Sequence, residues 1–203
     1  DIDVMLSDQL PEIGAVRKKY EIPFQEYGIF IYHPVTTEIE DLAAHIREVV
    51  NALIESKMNY VVIYPNNDIG ADIILNELKR FDRMSNIKMI PSMRFEHFLM
   101  LLKNAKVILG NSSAGIREAP VYGVPTINIG TRQLNRYEYE SIINVGYNKS
   151  AILASLQNLP HSIKPSLHFG RGESAKLFFN ELTSGSLWNT PRQKQFVDFD
   201  MDD

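Results

Sequence analysis

The sequence predicts an α/β domain built as a doubly wound parallel sheet, and three observations carry that expectation. Short runs rich in β-branched and aromatic residues recur along the chain: GIFIYHP, NYVVIYP, IKMIP, KVILG and VPTINIG. They are apolar throughout, as strands covered on both faces are. Between them lie segments whose apolar residues are spaced by three and four, the signature of one helical face. The two kinds of segment alternate, which is how parallel strands joined by crossover helices read in sequence.

The elements follow in order. The first strand is expected at 28–34 and a helix at 38–57, where Ile39, Leu42, Ala43, Ile46, Val49, Val50, Leu53 and Ile54 form one stripe. Thr37 is a candidate N-cap, with Glu38, Glu40 and Asp41 in a first turn where the helix dipole favours acids. A strand at 59–65 is followed by a helix around 69–81, and a strand at 87–91 by a helix at 94–103 that turns Phe95, Phe98, Leu99 and Leu102 inward. The strand at 106–110 runs into NSSAG and a helix near 115–122. Strands at 124–130 and 141–145, a helix at 148–158 and a last helix at 174–182 complete the series.

Two segments fall outside this rhythm. Residues 1–27 show no clear strand–helix alternation and are expected to be a linker or the end of a preceding N-terminal domain, since the chain opens at Asp1 without Met. Residues 184–203 are polar, end in acids and are expected to form a flexible tail, in which Trp188 or Phe196 can dock on a neighbour. The domain proper is then 28–183.

Composition narrows the function. A chain of 203 residues suits one domain, and the formal net charge of −4 with scattered Lys and Arg gives no nucleic-acid footprint. Any bound anion must therefore be held by local geometry. The chain has no Cys, which excludes disulfides, thiolate metal ligands and thiol nucleophiles and fits a cytoplasmic protein. No apolar run approaches the roughly 20 residues that cross a bilayer, and no signal-peptide pattern is present. No pair of histidines has metal-ligand spacing, so no metal is expected. His45, His97, His161 and His168 read as ordinary surface or loop residues.

In an open parallel sheet, ligands bind beyond the carboxyl ends of the strands. The strand ends here carry His33, then Asn66 and Asp68, then PSMRF after Ile90, then GNSSAGIRE, then Arg132 and Arg136. The fourth loop is the sharpest signal. Gly110 and Gly115 flank Ser112 and Ser113 at the start of a helix, so hydroxyls and exposed N–H groups can cradle an anion. The plainer alternative is an ordinary serine cap. Glu118 can accept hydrogen bonds from both hydroxyls of a ribose, or can be a solvated surface acid. His33 can donate to a phosphate or be satisfied by backbone, and of Arg132 and Arg136 one is expected to be a plain surface charge. FGRGES (169–174) has the form of a second phosphate-facing turn or of a simple helix start. Neither a P-loop lysine nor GxGxxG at a strand end is present, which counts against ATP hydrolysis and NAD binding. Carboxylate pairs for sugar acid–base chemistry are not evident, so the chain looks better equipped to hold a nucleotide than to transform one.

Together, HPVTTEI (33–39), YPNNDIG (64–70), GNSSAGIREAP (110–120) and VPTINIGTRQ (124–133) resemble the C-terminal domain of hydrolysing UDP-N-acetylglucosamine 2-epimerases over about residues 28–182. That resemblance implies a Rossmann-like half of a glycosyltransferase-B-like two-domain fold with the active site in the cleft. It implies UDP held by His33, Ser112, Ser113 and Arg132 at the diphosphate, Glu118 at the ribose, and Asn66 with the stretch at Ile90 by the uridine. Of these only His33 is assigned a catalytic role. The acid–base carboxylates would come from the N-terminal half. The product would be N-acetylmannosamine with free UDP, for sialic-acid-type sugars. No cofactor is implied, and the partners are the UDP-sugar, the N-terminal domain and, in the full-length enzyme, further copies of itself.

The sequence departs from the animal enzymes' E-T-G-E-N-like run, reading Tyr137-Glu138-Tyr139-Glu140-Ser141, and from the family's Y-G-D-G turn, reading Phe169-Gly170-Arg171-Gly172. A relative acting on UDP-N,N′-diacetylbacillosamine therefore stays open. So do a UDP-dependent glycosyltransferase domain and a non-hydrolysing epimerase.

Overall fold

Each expected strand contracts to four residues in the computed structural model, which describes residues 1–193: β1 Gly28–Ile31, β2 Tyr60–Ile63, β3 Ile87–Ile90, β4 Val107–Gly110, β5 Thr126–Ile129 and β6 Ile142–Val145. The helices are α1 Ile2–Met5, α2 Ile13–Lys19, α3 Leu42–Ser56, α4 Ala71–Leu78, α5 Phe95–Lys103, α6 Ala114–Arg117, α7 Lys149–Gln157 and α8 Ser174–Thr183.

The six strands form one parallel sheet in the order β3-β2-β1-β4-β5-β6. The chain winds outward from β1 to β3, returns to lay β4 on the other side of β1, and winds outward again. The order thus reverses between β1 and β4, where Ile31 pairs with Gly110. This is the Rossmann arrangement, and the reversal opens a crevice between diverging loops. The residues expected at the site follow the strands that flank that crevice.

Alternation along β1 divides the core. Ile29 and Ile31 face a cluster with Val16, Leu99, Leu102 and Ala114, under α2, α5 and α6. Phe30 and Tyr32 face the other cluster, with Ile46, Val50, Leu53, Ile74 and Ile152 from α3, α4 and α7. Both faces of the central strands β2, β1, β4 and β5 are covered, which explains why those strands read as continuous apolar runs. Each such side chain taken out of water contributes about 1.5–3 kcal/mol.

Three local features come from the structure alone. The helix expected from 38 begins instead at Leu42: residues Thr36–Glu38 form a 3-10 turn, Asp41 occupies the N-cap position, and Thr37 caps nothing. Glu38 is drawn away from the helix by Thr131 and Tyr147. Residues 1–27 contain two short helices, and Ile2 and Met5 of α1, Val16 of α2 and Ile22 beyond it join the core on the α5 side. At four and seven residues they are too short to show a helical period. His45, on the polar face of α3, stacks on Tyr147 with ring centroids 3.5 Å apart.

At the far end α8 buries no residue, and Leu177, Phe178 and Phe179 are each more than 60% exposed. Trp188, in the 3-10 turn Leu187–Asn189, donates its indole N–H to Leu182 O yet remains exposed. The expectations for residues 194–203, Phe196 included, lie outside the described residues. Among the described residues no helix is long and apolar enough to cross a membrane.

Candidate functional site

The crevice at the reversal point is a cleft of about 460 Å³. Its walls come from the ends of four strands: Ile31 and His33, Ile63 to Asn66, Pro91 to Met93, and Ser112 to Ala114, with Phe95, Phe98 and Glu118 behind them. A larger cleft of about 560 Å³ lies between α1 and α5, beside Arg94, Glu96 and His97. The smaller one is the better site. Of the buried polar atoms without a partner, Asn66 Oδ1 and Glu118 Oε2 belong to residues lining it, and none belongs to the larger cleft. Unpaired buried polar groups cost free energy, and such groups in a cleft point to a ligand that completes them.

The residue that assembles the site is Asn111, fully buried directly after β4. Gly110 makes its position possible: at φ +125° it brings the chain so close to β1 that an added Cβ would lie 1.9 Å from Ile31 O. Asn111 then donates its backbone N–H to Ile31 O at 3.1 Å. Its side chain clasps the backbone of His33: Oδ1 accepts the His33 N–H at 2.7 Å, and Nδ2 donates to His33 O at 2.8 Å. Its own carbonyl accepts from Arg132 Nη1 at 3.1 Å and from Gln133 Nε2 at 3.0 Å. Three loops, after β1, β4 and β5, are thus joined at one amide. Sequence reasoning passed over Asn111 because it stood inside a motif read for its serines, and it passed over the buried Gln133 altogether.

His33 is held in one tautomer. Its Nδ1 accepts the N–H of Asn66 at 3.1 Å, so the neutral ring carries its proton on Nε2. Burial, helped by the nearby Arg132, lowers its pKa to about 4. At neutral pH it is an uncharged donor.

The serine loop departs from expectation in one respect. The helix expected over 115–122 is a single turn, α6, followed by a 3-10 turn at Ala119–Tyr122. So short a helix supplies little dipole. The hydroxyl-bearing Ser112 and Ser113 line the cleft with His33, whereas Arg132 is not among the lining residues and is held beside it on Asn111 O. Ser112 Oγ accepts the Ala114 N–H at 3.3 Å in a local turn, while Ser113, at the N-cap position, makes no side-chain cap bond and its Oγ has no hydrogen bond among the described residues.

Glu118 sits between the two short turns. It is 7% exposed, its Oε2 has no partner, and burial raises its pKa. The reading of Glu118 as a solvated surface acid is therefore set aside. On the other wall Asn66 donates from Nδ2 to Asp68 at 2.5 Å. Ile90 is buried in the core, and the residues after it, Pro91 to Met93, reach the cleft instead. Arg132 is drawn in by Asn111, whereas Arg136 is exposed, as expected for one of the pair. The FGRGES turn takes no part: Gly172 packs on Leu6, and Ser174 donates its N–H and hydroxyl to Asp3. Its helix start is already capped.

Known proteins resemble this chain along most of its length. A Neisseria meningitidis protein named UDP-N-acetylglucosamine 2-epimerase is 41% identical over 99% of this chain and 54% of its own length. A Legionella pneumophila protein named UDP-N,N′-diacetylbacillosamine 2-epimerase (hydrolyzing) is 29% identical over 76% of this chain and 41% of its own. Polysialic acid biosynthesis protein P7 of Escherichia coli is 32% identical over 74% and 39%. The chain spans about half the length of these relatives. Among solved structures, Methanocaldococcus jannaschii UDP-GlcNAc 2-epimerase, crystallised with UDP-GlcNAc and UDP, superposes with a TM-score of 0.65 at 20% identity over 90% of this chain and 50% of that one. The fold is accordingly the Rossmann-like half of a glycosyltransferase-B-like architecture. A family model described as UDP-N-acetylglucosamine 2-epimerase matches residues 1–183, and the chain belongs to that family.

Proposed function

We propose that this domain holds the UDP portion of a UDP-sugar and that, within a longer chain, it serves a hydrolysing 2-epimerase that converts UDP-N-acetylglucosamine into N-acetylmannosamine and UDP. The observation that carries the reading is the buried carboxylate of Glu118, whose Oε2 has no partner, at one cleft with the serine loop and His33. A carboxylate accepts from two vicinal hydroxyls, as a ribose presents them, while neutral and cationic donors suit a diphosphate.

The residues divide the work. Glu118 would take the ribose and Asn66 the base side, with Pro91 to Met93 flanking it in place of Ile90. Ser112, Ser113, His33 and Arg132 would take the diphosphate. In the reaction a base removes the C2 proton, the freed pair forms the C1=C2 bond, and the C1–O bond to UDP breaks. Water then adds across the double bond, with hydroxyl to C1 and a proton to C2. This chain's part is to stabilise the departing diphosphate with donors already in place, His33 giving a hydrogen bond from Nε2. The carboxylates that move the C2 proton would belong to the other half of the protein.

A second reading changes only the sugar: the Legionella relative is named for UDP-N,N′-diacetylbacillosamine. Both are tested by incubating a full-length protein carrying this domain with each UDP-sugar and resolving the products. Free UDP with the 2-epimeric free sugar supports hydrolysis; a UDP-linked epimer, or a requirement for an acceptor, overturns it.

A further inference from the structure

The loop that presents Arg132 is tied down on both sides. On one side Arg132 and Gln133 donate to Asn111 O. The other tie uses a second set of residues. Gly130, at φ +77°, lies so close under the ring of Tyr147 that an added Cβ would be 2.3 Å from it, and its N–H donates to Val145 O at 2.8 Å. Thr131 donates its hydroxyl to one carboxylate oxygen of Glu38, and Tyr147 donates its hydroxyl to the other at 2.5 Å. The Thr131 N–H also points to Tyr147 Oη at 3.4 Å. His45 stacks on Tyr147 and places Nδ1 4.0 Å from Glu38.

Both oxygens of Glu38 are therefore engaged, and a carboxylate directly against a diphosphate would repel it. Its use must be indirect. Hydrogen bonds from Thr131 first and Tyr147 second hold Glu38 below the usual carboxylate range, so it is ionised at neutral pH and accepts strongly. Thr131 and Gln133, the two neighbours of Arg132, are thus anchored to opposite walls.

We propose that Glu38 and Tyr147 are positioning residues of the anion site, fixing the 130–133 loop so that Arg132 stands ready for the diphosphate. This rests on reading the site as one for a nucleoside diphosphate. An arginine held in place loses less freedom on binding than one on a free loop.

The test compares UDP with uridine by calorimetry on the 203-residue chain and its Glu38→Ala, Glu38→Gln and Tyr147→Phe variants. Glu38→Ala is expected to weaken UDP roughly tenfold and leave uridine unchanged. Glu38→Gln, which can still accept from Thr131, restores most of the loss, and Tyr147→Phe falls between. In an Arg132→Ala background Glu38→Ala adds nothing further. Equal weakening of UDP and uridine, unchanged UDP affinity, or a full Glu38 effect without Arg132 overturns the proposal. Should neither this chain nor a longer protein carrying the domain bind either ligand, the nucleotide reading fails on its own account. The tether is then read by hydrogen exchange: faster amide exchange at Thr131–Gln133 in Glu38→Ala with the strands unaltered supports it, and unchanged exchange overturns it.

Discussion

Asn111 holds His33 by both backbone groups of that residue, its Oδ1 accepting the His33 N–H at 2.7 Å and its Nδ2 donating to His33 O at 2.8 Å. Such a two-point clasp fixes the direction of the β1 loop without using the imidazole, which stays available for the cleft. It also makes the loop sensitive to one atom. Asn111→Asp replaces the donor with an oxygen facing a carbonyl, inside a fully buried site. Stability is expected to fall by about 2–4 kcal/mol, read as a lower urea midpoint. A midpoint equal to that of the unaltered chain would count against the clasp.

Glu118 should trade stability for binding. Burial raises its folded pKa above the ordinary 4.5, so the stability it contributes is full below that value and is lost as pH rises through the folded pKa. Glu118→Gln is therefore expected to stabilise the unliganded chain at pH 7 by about 1 kcal/mol, with the advantage shrinking in acid. Uridine and UDP binding should weaken together in the same variant. Urea titrations at neutral and acid pH check the first point and calorimetry the second; a destabilised variant at neutral pH contradicts the account of the orphan carboxylate.

His33 gives the opposite slope. Its folded pKa of about 4 lies below the ordinary 6.5, so its contribution is present above 6.5 and is lost as pH falls through about 4. Allowing for solvent at the cleft, the loss is on the order of 2 kcal/mol. Subtracting the stability of His33→Gln from that of the unaltered chain at a series of pH values isolates it. A flat difference across that window would show that the ring is not buried as described.

Gly110 tests the closeness of the loops. Gly110→Ala would force a Cβ against Ile31 O and place a side chain at φ +125°. A loss of more than about 3 kcal/mol, or no folded protein, is expected by circular dichroism. A melting temperature within about 2 °C of the unaltered chain would mean that the β1–β4 junction relaxes freely.

Much of this architecture was legible in the sequence. The six strands appear where apolar runs predicted them, because a sheet covered on both faces needs such runs. Rules for open α/β sheets place ligands at strand ends, and His33, Asn66, Ser112, Ser113 and Glu118 do line one cleft. What stayed hidden depends on long-range partners. The clasp of Asn111 on His33 spans 78 positions and the Thr131–Glu38 tie spans 93. No local pattern marks either, so Asn111, Gln133 and Glu38 went unassigned. At the end of β3 the side chain of Ile90 is buried, and Pro91 to Met93 just after it line the cleft.

The most direct test of the central claim is a calorimetric titration of this chain with UDP, beside Ser112→Ala and Glu118→Ala and with ATP as the control. UDP binding that weakens roughly tenfold or more in both variants, with ATP not bound, is the expected result. ATP binding as tight as UDP, or UDP binding absent both here and in a longer protein carrying this domain, would contradict it.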